Sequence, residues 1–328
     1  MTPMQWFLIT ALVIVAFSDA RFHFRNKYKV HQKGKQPAPA AEEWSYSDDD
    51  DSVCGYINIT KTEKEMLHQR KKLPHTLPFI AYVVKRHRHN YQPVCVATIL
   101  PDADDESSSI VLTLTTCIES PQLLDHYKIF TGRKLPVPLN KTRKMYDIEE
   151  VLVDKKSPNL QYANAMVVKL SGSIPIDAKR QPICLPKPNA EMPKKSECIL
   201  SVVRTDGRQQ PYLIEVEPKS NKDCKKMHGE SIQIDNKMEI CGLDYRDGSF
   251  ISRGGSLICE GEGGRWIQYG IYTHASHISD RMADRRSVSR IQKKGRPSVY
   301  INVANFTKLM QTSQNLERLS RINLMKLR

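Results

Sequence analysis

Phe250-Ile251-Ser252-Arg253-Gly254-Gly255-Ser256-Leu257-Ile258-Cys259 is the stretch from which the rest of the chain can be placed. Two adjacent glycines follow Arg253, an apolar pair follows them, and the run closes on a cysteine. Cys259 is the last of eight cysteines, at positions 54, 95, 117, 184, 198, 224, 241 and 259. An even number with no Cys-x-x-Cys pair predicts oxidised pairs rather than a zinc site. The start of the chain points to the same oxidising compartment. Residues 1–20 read as a secretory signal, with an apolar run from Trp6 to Phe17 and small residues at Ser18-Asp19-Ala20. The n-region has no Lys or Arg, and the other reading of this segment is an uncleaved anchor. The run is too short to span a bilayer comfortably, and no later stretch is apolar enough to do so.

The 328 residues suffice for one large all-β domain or two small ones, and 40% hydrophobic residues allow a normal core. The formal charge of +14, from 50 Lys+Arg against 36 Asp+Glu, favours acidic partners: a sulfated glycan, an anionic membrane surface or an acidic protein. It also fits a merely soluble protein with basic loops. No zinc-finger, RNP-type or helix-turn-helix pattern indicates nucleic acid. Residues 21–53 carry no periodic apolar pattern; basic residues come first, then Pro37 and Pro39 among alanines, then Glu42-Glu43 and Asp48 to Asp51. This composition predicts a disordered charged linker. Its aspartate run lacks the geometry of a calcium site. The sequons at Asn58, Asn140 and Asn305 are glycosylation candidates.

The opening stretch resembles the nucleophile loop of the chymotrypsin/trypsin-like serine proteases, Gly-Asp-Ser-Gly-Gly-Pro-Leu-Val-Cys in that family. The glycines, the apolar pair and the cysteine stand in register, but the serine position is Arg253. Ile110-Val111-Leu112-Thr113-Leu114-Thr115-Thr116-Cys117 resembles Trp-Val-Leu-Thr-Ala-Ala-His-Cys, with Thr116 at the general-base histidine. Tyr162 to Leu170 resembles the Asp-Ile-Ala-Leu-Leu-Lys-Leu stretch, with Asn164 at the orienting aspartate. Gln181-Pro182-Ile183-Cys184-Leu185-Pro186 matches the inter-barrel Pro-Ile-Cys-Leu-Pro. The resemblance covers about residues 54–312. It implies an all-β fold of two antiparallel six-stranded β-barrels with a C-terminal α-helix over Val303 to Met310, and four disulfides: Cys54–Cys184, Cys95–Cys117, Cys198–Cys259 and Cys224–Cys241. Cys224 and Cys241 are expected to bracket a short helical segment.

The same resemblance implies that the chemistry is gone. Threonine cannot exchange a proton near neutral pH, asparagine carries no charge to orient a histidine, and arginine is no nucleophile. The family's zymogen cut, a basic residue before Ile-Val-Gly-Gly, falls on Glu65-Met66-Leu67-His68-Gln69, although Arg70-Lys71-Lys72 nearby offers another processing site. The aspartate that pairs with the freed N-terminus is replaced by Ser252. Losing both ends of a buried ion pair avoids the several kcal/mol that one orphaned charge would cost. Asp247, six residues before Arg253, sits where trypsin-like enzymes hold a Lys- or Arg-binding aspartate. Its surroundings are altered: Ser249 replaces a cysteine, Thr273-His274-Ala275 replaces Ser-Trp-Gly, and Ser298 replaces a glycine. Arg253 reaching toward Asp247 would plug such a pocket. Ile251, at one of the two oxyanion-donor positions, replaces a glycine. His126 or His274 beside a serine would be needed for a relocated triad, and no spacing favours one.

Two basic segments stand apart from the family pattern. Lys85-Arg86-His87-Arg88-His89 lies between two predicted strands, Phe79 to Val84 and Val94 to Leu100; its alternating histidines admit a metal, or an ordinary surface. Ser276 to Gly295 is long and carries Arg281, Arg285, Arg286, Arg290, Lys293 and Lys294, with Arg296 beside it, the best candidates for polyanion contact. Residues 313–328 form a basic amphipathic extension. The expected organisation is a signal at 1–20, a linker at 21–53, an inactive trypsin-like domain at 54–312 and the extension at 313–328. The expected function is a secreted glycoprotein pseudoenzyme without cofactor or metal. It would bind extracellular proteins, active proteases or their substrates, as a regulator or cofactor of a proteolytic pathway in immunity, clotting or seminal fluid. The alternatives are a polyanion or cell-surface binder and an atypical active hydrolase.

Overall fold

The computed structural model describes residues 54–57, 60, 62–63, 65, 77–102, 105–140, 143–153, 164–193, 196–204, 209–228, 234–235, 237–245, 251–275 and 295–306. The signal, linker and C-terminal extension expected from the sequence lie outside this set. So do Asn58, Asp247 and the segment 276–294.

Seven strands form the first barrel: β1 (Ile80–Arg86), β2 (Asn90–Ile99), β3 (Ser107–Leu114), β4 (Tyr127–Phe130), β5 (Val137–Pro138), β6 (Met145–Leu152) and β7 (Ala165–Pro175). Their order is β1-β4-β6-β7-β3-β2, and a further β1–β2 pairing closes this ring of six, while the two-residue β5 adds on to β2. Closure removes the open sheet edges that would otherwise template aggregation. The sequence makes these strands because β-branched residues crowd their buried positions. Val83, Val84, Ile99, Val111, Ile129, Val167 and Val168 are all buried, around Phe79, Tyr82 and Tyr127.

The predicted loop at Lys85 to His89 is shorter than expected. Pairing runs on through Lys85↔Gln92 and Arg86↔Tyr91, leaving a three-residue turn at 87–89 that the His87 N–H closes onto the Asn90 carbonyl at 2.8 Å. Charged side chains do not end a strand whose backbone partner continues, because they simply point to solvent.

The second barrel closes in the order β10-β13-β12-β11-β8-β9. Its strands are β8 (Cys198–Val203), β9 (Pro211–Lys219), β10 (Glu239–Asp244), β11 (Ser256–Glu260), β12 (Trp266–Ala275) and β13 (Arg296–Asn302). All six residues of β8 are buried, which is why Cys198 to Val203 reads as a continuous apolar run. Helix α1 (Asn221–His228) joins β9 to β10. It begins before Cys224 rather than after it, a correction to the sequence reading. Ser220 accepts the Asp223 N–H at 3.1 Å while its hydroxyl donates to the Asp223 carboxylate at 2.6 Å, and this cap sets the start. At the C-terminal end the described residues show a 3-10 turn over Val303–Phe306 in place of the first turn of the expected helix; positions 307–310 lie outside the description.

The eight cysteines close four disulfides, Cys54–Cys184, Cys95–Cys117, Cys198–Cys259 and Cys224–Cys241. Cys54 and Gly55 are thereby held against the second barrel. The Gly55 N–H donates to the Pro182 carbonyl and the Trp266 N–H to the Gly55 carbonyl, both at 2.9 Å. A buried hydrogen bond between the Thr98 and Ser256 hydroxyls crosses from β2 to β11 and joins the two barrels beneath the site.

Candidate functional site

Three residues far apart in sequence are brought to one place by a short chain of contacts. Thr116 lies in the 3-10 turn Thr115–Cys117 that ends β3, and its side chain is exposed. Two hydrogen bonds fasten Asn164 to this turn: the Thr115 N–H donates to the Asn164 carbonyl at 2.9 Å, and the Asn164 N–H to the Thr115 hydroxyl at 3.0 Å. Cys117, next to Thr116, is bonded to Cys95 with the Cα atoms 5.7 Å apart. Cys95 in turn forms an isolated parallel bridge with Arg253, and the Val96 N–H donates to the Arg253 carbonyl at 3.1 Å. Thr116, Asn164 and Arg253 therefore lie on neighbouring segments where the two barrels meet.

The loop that carries Arg253 is pinned on every side. The Ser252 N–H donates to the Val203 carbonyl at 2.8 Å, and the Ser252 hydroxyl accepts the Val203 N–H at 3.2 Å. Ser252 is buried and satisfied as a neutral group at the position where the family pattern has an aspartate. The Gly254 N–H donates to the Tyr272 carbonyl at 2.9 Å, and the Tyr272 N–H to the Gly255 carbonyl at 2.7 Å. Gly254 has φ +80°, and a Cβ there would lie 2.4 Å from the Val96 carbonyl oxygen. Only glycine fits this left-handed position under a neighbouring strand. Ile251 is not among the residues with positive φ; it pairs with Arg204 as an isolated antiparallel bridge, an extended backbone that suits a β-branched residue.

The three positions offer a cation, an amide and a hydroxyl. Arg253 is exposed and offers a permanent cation with up to five donors. Asn164 is half-buried, and its side-chain carbonyl Oδ1 is enclosed without a hydrogen-bond partner among the described residues. An enclosed acceptor of this kind suits a donor and has no use as a base. His274 is half-buried in β12, where its Nδ1 meets the Thr273 hydroxyl at 2.9 Å while Thr273 also donates to the Val299 carbonyl at 3.0 Å. His126 is exposed in the turn before β4, beside Asp125 at 3.8 Å.

Sequence reasoning passed over one residue. Asp244, at the end of β10, is fully buried and accepts a hydrogen bond from the Ser298 hydroxyl. Ser298 lies across from Gly242 on one side and Ala275 on the other, so this pair occupies strand ends in the second barrel. An aspartate closing the buried run Ile240 to Leu243 was the available signal, since a carboxylate there needs a partner. Asp247, the aspartate singled out from the sequence, lies outside the described residues, as do six of the seven polyanion candidates, Arg281, Arg285, Arg286, Arg290, Lys293 and Lys294. The seventh, Arg296, is half-buried in β13 opposite Asp244. His87 and His89 sit exposed in a turn, and no group of three His, Cys, Asp or Glu suited to a metal occurs among the described residues.

A family model described as Trypsin matches residues 74–310. The chain belongs to the trypsin family. It is 25% identical over 202 residues to the atrial natriuretic peptide-converting enzyme of Rattus norvegicus, and 25% identical over 204 residues to that of Mus musculus. Each match takes in 60% of this chain and only 17% of the relative's own length. Two closed antiparallel β-barrels, four disulfides and this match together make the described body a trypsin-like serine protease domain. Among the described residues no helix is long and apolar enough to cross a membrane.

Proposed function

We propose that this trypsin-family protein is a pseudoprotease: it is secreted, performs no peptide hydrolysis, and acts by binding extracellular proteins as a regulator or cofactor of a proteolytic pathway. The observation that supports this most directly is the identity of the groups at the three positions. Thr116, Asn164 and Arg253 meet where the family pattern places base, orienter and nucleophile, and none of them can perform those roles. Nucleophile, base and orienter work as a unit, and removal of one already costs orders of magnitude in rate. The neutral anchoring of Ser252 supports the same reading, because the loop is held without an ion pair to a freed N-terminus. The partners fitting this reading are active proteases or their substrates.

A fluorophosphonate probe tests the proposal on the purified, glycosylated full chain beside active trypsin and a heat-denatured sample. The expected outcome is no native-specific label. A stoichiometric label lost on denaturation would identify an activated serine and overturn the reading.

A further inference from the structure

The strongest charged feature among the described residues is a surface built from two segments that the first barrel brings together. The β1–β2 hairpin exposes Arg86 and Arg88. The loop from Thr131 to Lys144, between β4 and β6, exposes Arg133, Lys134, Arg143 and Lys144. Pairing of β5 with the start of β2 joins the two: Arg86 is opposite Tyr91, and Tyr91 is opposite Val137. At about 4.8 Å per strand spacing, the loop passes roughly 10 Å from the Arg86 backbone where it crosses at Val137. Its base is closed by the Thr131 N–H donating to the Lys144 carbonyl at 3.1 Å.

Three carboxylates of the first barrel are already committed to lysines. Glu119 holds Lys85 at 2.8 Å, Asp147 pairs with Lys128, and Glu149 lies 3.3 Å from Lys169. Neither basic segment, 85–90 or 131–144, contains an acidic residue. No ion pair to any of the six cations occurs among the described residues, so the surface carries uncompensated positive charge. Such an arrangement is stabilised by a partner of high negative charge density.

We propose that this hairpin-and-loop surface is a binding site for sulfated glycans. Four of its six cations are arginines, whose planar fork matches a sulfate oxyanion with two parallel hydrogen bonds. An acidic protein is the less fitting partner. Protein interfaces are anchored by buried aromatic and apolar side chains, and the exposed large hydrophobics among the described residues, Tyr56, Val153 and Met227, all lie outside these two segments. The site is independent of whether the domain performs catalysis, and it is distinct from the 276–296 segment.

Titration of the full-length glycosylated protein with a fluorescent heparin octasaccharide, at several NaCl concentrations, tests this. The substitutions R86S, R88S, R133S and R143S together are expected to weaken binding at least tenfold and to lower the slope of log Kd against log [NaCl] by roughly two to three ionic contacts. A charge-matched variant with K179S, K222S, K226S and K237S, all at exposed positions, is expected to bind within about threefold of wild type. Removing surface repulsion is also expected to leave Tm equal or slightly raised at low salt, which shows the four-arginine variant to be folded. Equal losses in both variants would mean diffuse net charge and no site. Loss confined to R281S, R285S, R286S and R290S would place the site elsewhere. Equal binding of poly-L-glutamate, with the same dependence on the four arginines, would replace the glycan by an acidic polypeptide.

Discussion

Gly254→Ala probes whether the loop that carries Arg253 is held as rigidly as its hydrogen bonds indicate. The new Cβ would meet the Val96 carbonyl oxygen at 2.4 Å, the Thr113 hydroxyl at 3.2 Å and Cys95 Cβ at 3.4 Å. The first of these is backbone in the facing barrel and cannot rotate away. Two costs add. Holding alanine at φ +80° costs about 1–2 kcal/mol, and forcing a methyl into occupied space costs a further ~1–3 kcal/mol. The reduced freedom of the unfolded alanine chain returns about 0.4–1 kcal/mol, leaving a net loss of roughly 2–4 kcal/mol. For a domain of this size that lowers Tm by about 5–15 °C.

Two other glycines separate the terms. Gly263 has φ +70° with nothing within 4 Å of the new Cβ, so Gly263→Ala carries the dihedral cost alone. Gly172, in β7, has open space and no positive φ, and Gly172→Ala is expected to be neutral or stabilising by up to ~1 kcal/mol. Thermal unfolding followed by near-ultraviolet circular dichroism, with disulfides intact, ranks the three. If Gly254→Ala falls no further than Gly263→Ala, the loop is not pressed against β2 and the account of a rigidly held loop fails.

Other outcomes follow from the same contacts. Ser298→Ala is expected to cost about 1.5–3 kcal/mol in denaturant unfolding, because it removes a donor from the buried Asp244 carboxylate; a change under ~0.5 kcal/mol would mean that the carboxylate is satisfied without it. Glu239 is nearly buried, and burial raises its pKa, so its own contribution to stability is fully present below the ordinary glutamate range and is lost as pH rises through the raised value. Glu239→Gln is accordingly expected to be more stable than wild type at pH 7, with the difference vanishing near pH 4; a difference of opposite sign at pH 7 refutes this. Asn140 is exposed, and Asn140→Gln is expected to reduce the glycosidase-sensitive mass shift of secreted material by one glycan. The Asn305 side-chain amide donates to the Lys237 carbonyl, so Asn305→Gln is expected to lower Tm through the loss of that bond, whether or not a glycan is attached.

Much of the fold could be read from the chain because its signals are local or covalent. The apolar runs of β1, β3 and β8 declare buried strands, and eight cysteines with fixed neighbours declare a stapled, two-lobed family fold. Residue identity alone also shows that Thr116 is no base and Arg253 no nucleophile, whatever the structure around them. The meeting of those positions was not legible without the family pattern. It depends on the Asn164–Thr115 hydrogen bonds, the Cys95–Cys117 bond and the Cys95–Arg253 bridge, which link segments up to about a hundred and fifty residues apart.

Three features were decided only in three dimensions. The helix start moved ahead of Cys224 because a Ser220 side chain competes for a backbone N–H, an effect of hydrogen-bond geometry rather than hydrophobic period. Asp244 acquired its importance from Ser298, a partner in a strand more than fifty residues away. The basic surface arose in the same way. Arg86 and Arg133 are unremarkable charges in their own segments, and they become one field because β5 pairs with β2 while the nearby carboxylates are taken by Lys85, Lys128 and Lys169. Composition sets how much charge a chain carries, but Coulomb energy depends on separation, and separation belongs to the tertiary fold.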